Sequence, residues 1–152
     1  MKGREMNIIK AQKEIFNSML AGANVRKFEF DEQSIFITPD GYHGYVIPYT
    51  QLQVNLEKIK SFNKIDFQSV VTEENLCELT NEARIVQFPK RICRKLRRGS
   101  ETIYFDNKYL ACFQNPKFYN ANKHSAIVVT EDISATMQNK VVGVILPLRM
   151  ED

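Results

Sequence analysis

The residues of this sequence that are best suited to chemistry are the cations of one short segment. Between Arg84 and Arg98 the chain has seven arginines and lysines and no aspartate or glutamate. This segment carries +7, which leaves −4 for the remainder of a chain whose formal net charge is +3. Because clustered cations neutralise phosphate or carboxylate groups, the segment predicts binding to a polyanion. A solvated surface that favours solubility is the alternative interpretation.

Residues that would support catalysis are scarce. His43 and His124 fall in turns or loops without Cys, Asp or Glu at the spacing of a metal site, so we predict two surface histidines. Cationic neighbours would favour a Cys93 thiolate, but its place among apolar residues favours burial. The acidic pairs are adjacent residues rather than converging carboxylates. They are Asp31-Glu32, Glu73-Glu74, Glu131-Asp132 and Glu151-Asp152. We expect no enzyme activity, no metal and no cofactor.

The composition describes one globular unit. The chain has 152 residues, of which 43% are apolar and 26% are charged, so it is long enough for one domain with its own core. It has no apolar window of membrane-spanning length, and residues 1–5 lack the apolar stretch of a secretion signal. We therefore expect a cytoplasmic protein without membrane contact. Cys77, Cys93 and Cys112 are expected to be reduced core thiols.

The first half of the chain has the pattern of one helix among strands. Apolar residues at helical spacing from Ile15 to Leu20 predict a helix over 11–21 that ends at Gly22. Alternating or clustered apolar residues predict strands at 6–10, 27–31, 34–38 and 42–48. Weaker strand patterns occur at 52–56 and 65–71 within the stretch 49–80.

The second half predicts the same order of elements. A strand at 83–88 leads to Pro89, which suits a first helical position, and a helix over 90–98 is then expected to end at Gly99. The strands expected after it are 101–106, 108–113, 125–130 and 141–148.

The two halves also align with each other. Residues 13–22 match residues 90–99 without a gap, with Lys, Ile and Gly shared. We interpret this as a duplicated βαβββ unit, with repeats at about 5–48 and 83–150 and a connecting insert at about 49–80. Coincidence between two short segments is the alternative. The duplication predicts an α+β fold, in which an antiparallel sheet carries two helices on one face.

About two thirds of the chain resembles one domain of a DNA sliding clamp, especially the last domain of the bacterial beta-type clamp. The resemblance rests on the duplicated strand–helix unit, on the run from Val86 to Pro89 leading into Ile92 and Leu96 and then 101–105, and on the ending Val144-Ile145-Leu146-Pro147-Leu148-Arg149. It implies a clamp-like fold and a replication processivity or accessory role. Clamp subunits string two or three such domains together, whereas this chain has length for one, so ring closure would need several copies as a homo-oligomer.

The candidate binding residues follow from the basic segment and the resemblance. On the expected second helix, one cationic face would contact the phosphate backbone of double-stranded DNA. Its residues are Lys90, Arg91, Arg94, Lys95, Arg97 and Arg98. The resemblance implies that the C-terminal strand lines a groove for polymerase-type peptides, although a buried or edge strand explains it equally. Those residues are Val144, Leu146, Pro147 and Leu148. A protein-interaction adaptor that holds an acidic partner is the alternative function.

Overall fold

The computed structural model describes residues 7–61, 76–88, 91–122, 125–133 and 138–148. These residues form one α-helix and ten β-strands. The helix is α1, Ile8–Leu20. The strands are β1 Arg26–Glu29, β2 Ser34–Thr38, β3 His43–Pro48, β4 Lys60–Ser61, β5 Cys77–Phe88, β6 Arg91–Arg98, β7 Glu101–Asp106, β8 Lys117–Asn120, β9 Ile127–Ile133 and β10 Gln138–Ile145. Short 3-10 helices lie at Tyr49–Gln51, Leu56–Lys58 and Asn107–Leu110.

Helix α1 forms because its apolar residues recur at helical spacing and its first turn is capped. Ala11 and Ile15 are fully buried, and the side chain of Asn7 accepts a hydrogen bond from the Lys10 backbone N–H at 3.0 Å. Beyond its end, Gly22 adopts φ +73°, which suits a residue without a Cβ. The expected helix is confirmed, but Ile8 to Lys10 belong to it rather than to a preceding strand.

The strands hydrogen-bond in the order β4-β1-β2-β3-β10-β9-β8-β5-β6-β7. All the described pairings are antiparallel except β1 with β4. The meander β1–β2–β3 confirms the strands expected at 27–31, 34–38 and 42–48, and β2 and β7 match their predicted ranges residue for residue. The pairing of β3 with β10 joins the first half of the chain to the second.

The sheet curls so that its β7 end approaches the chain that leaves β10. The backbone N–H of Leu148 donates to the carbonyl of Tyr104 in β7 at 2.8 Å, while Leu146 donates to Tyr42 at 2.7 Å. Side chains from β2 and β7 therefore share one core cluster, which includes Ile37 and Phe105. Ala11 and Ile15 belong to the same cluster, so α1 packs on this core.

The expected clamp-like architecture is wrong. The second helix, predicted over 90–98, is strand β6, paired with β5 and β7 on its two sides. Gly99 does not end a helix but forms a two-residue turn with Ser100, since Arg98 pairs with Glu101, and its φ is +59°. The alignment of 13–22 with 90–99 thus equates a helix with a strand, and the α+β arrangement of two βαβββ repeats with two helices on one face is overturned.

Two further strand predictions are wrong, and a third falls on residues that the structure does not describe. The stretch 52–56 is irregular and leads into a 3-10 helix, and 108–113 contains a 3-10 helix and a turn. The strand pattern at 65–71 lies outside the described residues. Within the described ranges, no helix has the length and hydrophobicity needed to cross a membrane.

Candidate functional site

Strand β6 distributes the basic segment over the two faces of the sheet. Successive side chains of a strand point to opposite faces, and Leu96 lies in the core with its cross-strand partner Ile103. The face of Leu96 is thus the inner one, and it also receives Arg94 and Arg98. The residues that alternate with them lie on the outer face, and these are Arg91, Cys93, Lys95 and Arg97.

The outer face of β5, β6 and β7 gathers four cations. Arg84 of β5 lies directly opposite Lys95, so it shares this face with Arg91, Lys95 and Arg97. Arg84, Arg91 and Arg97 are exposed, and Lys95 is half-buried. We call this surface the basic face, defined by Arg84, Arg91, Lys95 and Arg97. It is built from a strand pair rather than from the expected helix.

The positive charge of the basic face is only partly neutralised. Glu82 lies at the irregularity in the β5–β6 pairing, and its carboxylate binds Arg97 at 2.9 Å and Lys95 at 3.4 Å. Within the described residues, Arg84 and Arg91 form no ion pair. Two further carboxylates lie on the outer face: Asp106, which contacts Lys108 at 3.8 Å, and Glu78, which accepts a hydrogen bond from the Tyr119 hydroxyl at 3.3 Å. The face therefore keeps an excess of positive charge that faces solvent.

Two aromatic rings lie among these cations. Phe88 of β5 and Tyr104 of β7 meet edge to face, with ring centroids 5.6 Å apart. They come from the strands on either side of β6, and Cys93 lies between them in the register. This arrangement explains why the Cys93 side chain is buried on the outer face. Burial raises the pKa of its thiol, with Asp106 contributing, which disfavours the reactive thiolate that the surrounding arginines suggested.

The other two described cations of the segment, Arg94 and Arg98, lie on the inner face. Arg94 donates to the side-chain oxygen of Asn107 at 3.2 Å. Arg98 donates to Asn120 at 3.2 Å and to the carbonyl of Ala121 at 2.6 Å. The predicted DNA-binding residues are therefore split, with Arg91, Lys95 and Arg97 outside and Arg94 and Arg98 inside. Lys90 lies outside the described residues.

The four residues predicted to bind partner peptides do not share one surface. Val144 is buried in a small cluster with Phe36 and Val46. Leu146 is exposed, whereas Pro147 and Leu148 are half-buried where the chain joins β7 through Tyr104. This segment therefore connects the end of β10 to β7 rather than lining one groove.

A second polar cluster, absent from the sequence-based expectations, surrounds His43. Its Nε2 lies 2.7 Å from Glu14 of α1, and its Nδ1 lies 3.0 Å from both carboxylate oxygens of Asp40. Tyr45 donates its hydroxyl to Glu14 at 2.6 Å, and the Tyr109 ring stacks on the imidazole at 4.1 Å. His43 is 4% exposed, so its interpretation as a surface histidine is wrong.

The three ionisable groups of this cluster stabilise one another's charged forms. Burial alone would lower the pKa of His43, but the hydrogen bonds and charges of Asp40 and Glu14 outweigh it and raise that pKa. Burial likewise opposes ionisation of Glu14 and Asp40, yet hydrogen bonds from His43 lower both pKa values. The arrangement therefore favours an imidazolium between two carboxylates and ties α1 to the start of β3.

The geometry of the His43 cluster favours a structural role over catalysis. Both ring nitrogens face carboxylates, so neither is left to accept a proton from a substrate. The Cys112 sulfur lies 3.8 Å from the Glu14 carboxylate. Burial is the largest of several influences on the pKa of this thiol and raises it, which disfavours a nucleophilic thiolate. Cys112 and Cys93 are buried as expected, whereas Cys77 is exposed.

A groove beside α1 is the remaining feature of the described surface that bears on binding. It has a volume of about 540 Å³, and its lining includes Phe16, Met19 and Leu20 of the helix. Arg26, Lys58 and Lys60 also line it. Arg26 and Lys60 are direct neighbours across the β1–β4 pair, and none of these three cations forms an ion pair within the part of the chain that the structure describes.

Neither the geometry nor the comparisons point to a known site. Among the described residues, no group of His, Cys, Asp and Glu is arranged to hold a metal ion. Comparisons with protein-family models, curated proteins and solved structures find no match to this chain.

Proposed function

We propose that this protein binds nucleic acid through the basic face of β5 and β6. The observation that carries the proposal is the alignment of Arg84, Arg91, Lys95 and Arg97 on one solvent-facing surface with Glu82 as their only carboxylate partner among the described residues. Arg84 and Lys95 are directly opposite each other, and Glu82 neutralises only the Lys95 side of this pair, so like charges still face each other. A phosphate backbone would relieve that repulsion without any base-specific contact.

The exposed arginines provide the test of this function. Changing Arg84→Ala and Arg91→Ala together removes two cations without an ion-pair partner in the described structure, so we expect folding to be preserved. If each contacts one phosphate, the slope of log affinity against log salt should become shallower by about 1.5, and binding should weaken about tenfold or more. Fluorescence anisotropy with a labelled oligonucleotide measures both quantities.

The matched control is the double variant Lys13→Ala/Lys140→Ala. It removes the same charge from exposed positions in α1 and β10, away from the basic face. We expect it to change affinity by less than about threefold, because distant charges are screened at physiological salt. Equal losses in the two double variants would contradict binding at the basic face.

A second candidate function is supported by the groove beside α1. We propose that it holds an acidic segment of a partner protein, because its lining combines apolar side chains of α1 with three cations. Apolar and aromatic side chains of such a segment would pack on Phe16 and Leu20, which are 52% and 72% exposed. Its carboxylates would then face Arg26, Lys58 and Lys60, giving charge complementarity.

A glutamate–tyrosine copolymer tests the second candidate with a defined probe. Lys58→Glu/Lys60→Glu should weaken copolymer binding at least about tenfold, because it places negative charge beside the carboxylates of the ligand. Arg84→Ala/Arg91→Ala should leave copolymer binding within about threefold, since those residues lie on the other site. Copolymer binding that is unaffected by the groove variant would refute this candidate.

A further inference from the structure

We infer that the basic face binds single-stranded nucleic acid in preference to a duplex, and that Phe88 and Tyr104 stack against its bases. The inference rests on the proposed function and adds the class of ligand. It is carried by the aromatic pair, because four cations alone would serve any phosphate backbone equally.

The two rings are placed where an extended strand of nucleic acid would meet them. Phe88 lies directly opposite Arg91, and Tyr104 lies directly opposite Lys95. From the rise of a strand, Arg91 and Lys95 are separated by about 13 Å and Lys95 and Arg97 by about 7 Å. The cations therefore lie on both sides of the aromatic pair along β6, so phosphates on either side of a stacked base would have a partner.

The geometry of the rings leaves aromatic surface available. In an edge-to-face pair with planes at 87°, one ring presents its edge to the face of the other, so the pair leaves ring faces uncovered. Phe88 and Tyr104 are only half-buried, although they lie over the fully buried Cys93. Bases in a duplex are already stacked on their neighbours and cannot use these faces, whereas bases of a single strand can.

Three probes of similar length separate the contributions of phosphates and bases. We would measure binding to an oligothymidylate of about 15 nucleotides, to an abasic single strand of the same length and to a duplex of that length. The protein should bind oligothymidylate about tenfold more tightly than the abasic strand and more tightly than the duplex, because stacking adds to the phosphate contacts.

Leucine variants assign this preference to the two rings. Phe88→Leu/Tyr104→Leu keeps an apolar cover over Cys93 but removes the aromatic faces, so the advantage of oligothymidylate over the abasic strand should fall to about twofold or less. Tyr104→Phe is the matched control and should retain the advantage. Circular dichroism melting of each variant identifies any that fail to fold, and single substitutions then replace the double variant.

The outcomes distinguish this inference from the proposed function. Duplex binding that equals or exceeds oligothymidylate binding would overturn the preference for single strands while leaving nucleic-acid binding intact. An unchanged base-dependent advantage in the leucine variant would also overturn the inference. Failure of all three probes to bind would overturn the proposed function and the inference together.

Discussion

Gly143→Ala should destabilise the protein by about 3 kcal/mol or prevent folding, which is the largest effect we expect from a single methyl group. A Cβ at this position would lie 2.6 Å from the carbonyl oxygen of Gly44 and 2.5 Å from the nearest atom of the Phe113 ring. The first neighbour is backbone of the paired strand β3, so a side-chain rotation cannot relieve the clash. The β3–β10 pair would have to separate, and it is the pairing that joins the two halves of the sheet. Urea denaturation followed by far-UV circular dichroism measures the loss.

Gly22→Ala provides a control with the same chemical change in open space. No atom lies within 4 Å of the point that a Cβ would occupy here, so only the positive φ opposes the substitution. A left-handed residue other than glycine costs about 1 kcal/mol. If Gly143→Ala and Gly22→Ala had equal effects, the close approach of β3 and β10 would be contradicted.

His43→Leu should destabilise the protein by about 2–3 kcal/mol near pH 5.5. Removing the imidazolium leaves Glu14 and Asp40 without their shared partner, and such changes cost about 3–5 kcal/mol when the site is fully buried. We expect a smaller loss because the side chains of Glu14 and Asp40 are 37% and 30% exposed, so water screens part of the interaction. Denaturation midpoints of both proteins across pH measure the difference.

The pH dependence of this difference follows from the directions of the pKa shifts. The pKa of His43 is raised above its ordinary 6.5, so its contribution is complete below pH 6.5 and is lost as pH rises through the folded pKa. The pKa of Glu14 is lowered from 4.5 and that of Asp40 from 3.8, so their contributions are complete above pH 4.5 and are lost as pH falls through the folded values. The cluster therefore stabilises most between pH 4.5 and 6.5.

Glu14→Gln separates charge from hydrogen bonding in the same cluster. The amide oxygen of the new glutamine can still accept a hydrogen bond from Tyr45 or His43, so this variant should lose less free energy of unfolding than His43→Leu. Its decline in stability at acid pH should also flatten. A His43→Leu protein with the same stability as the unmodified chain throughout pH 4–8 would contradict the cluster as a tie between α1 and β3.

The parts of the fold that were predictable are those in which one local pattern dominates. β2 is a run of buried residues between polar turns, and β7 alternates buried and half-buried side chains up to Asp106. Their ranges were correct because a strand pattern bounded by turn residues has few alternatives. The helix α1 was found for the same reason, through Ile15 and the glycine beyond its end.

Strand β6 was mistaken for a helix because both of its faces are partly covered. Leu96 enters the core on one face, while Cys93 is buried under Phe88 and Tyr104 on the other. Buried residues three positions apart imitate helical spacing, and Pro89 and Gly99 happened to suit the ends of a helix. Only the pairing with β5 and β7, which is a long-range property, distinguishes the two structures.

The candidate sites were predictable in composition but not in arrangement. The excess of cations in the basic segment was evident from the sequence, whereas its division between two faces required the strand assignment. The partners of His43 include Glu14, 29 residues earlier in the chain, and no local pattern indicates that contact. Asp40 lies in a turn only three residues before His43, so the sequence could have indicated this one carboxylate partner.

The salt dependence of oligonucleotide binding by the unmodified protein tests the central claim most directly. If the four cations of the basic face each neutralise one phosphate of a single strand, log affinity should fall with log salt with a slope of about −3. A slope near zero, or no binding even at low salt, would contradict nucleic-acid binding through the basic face.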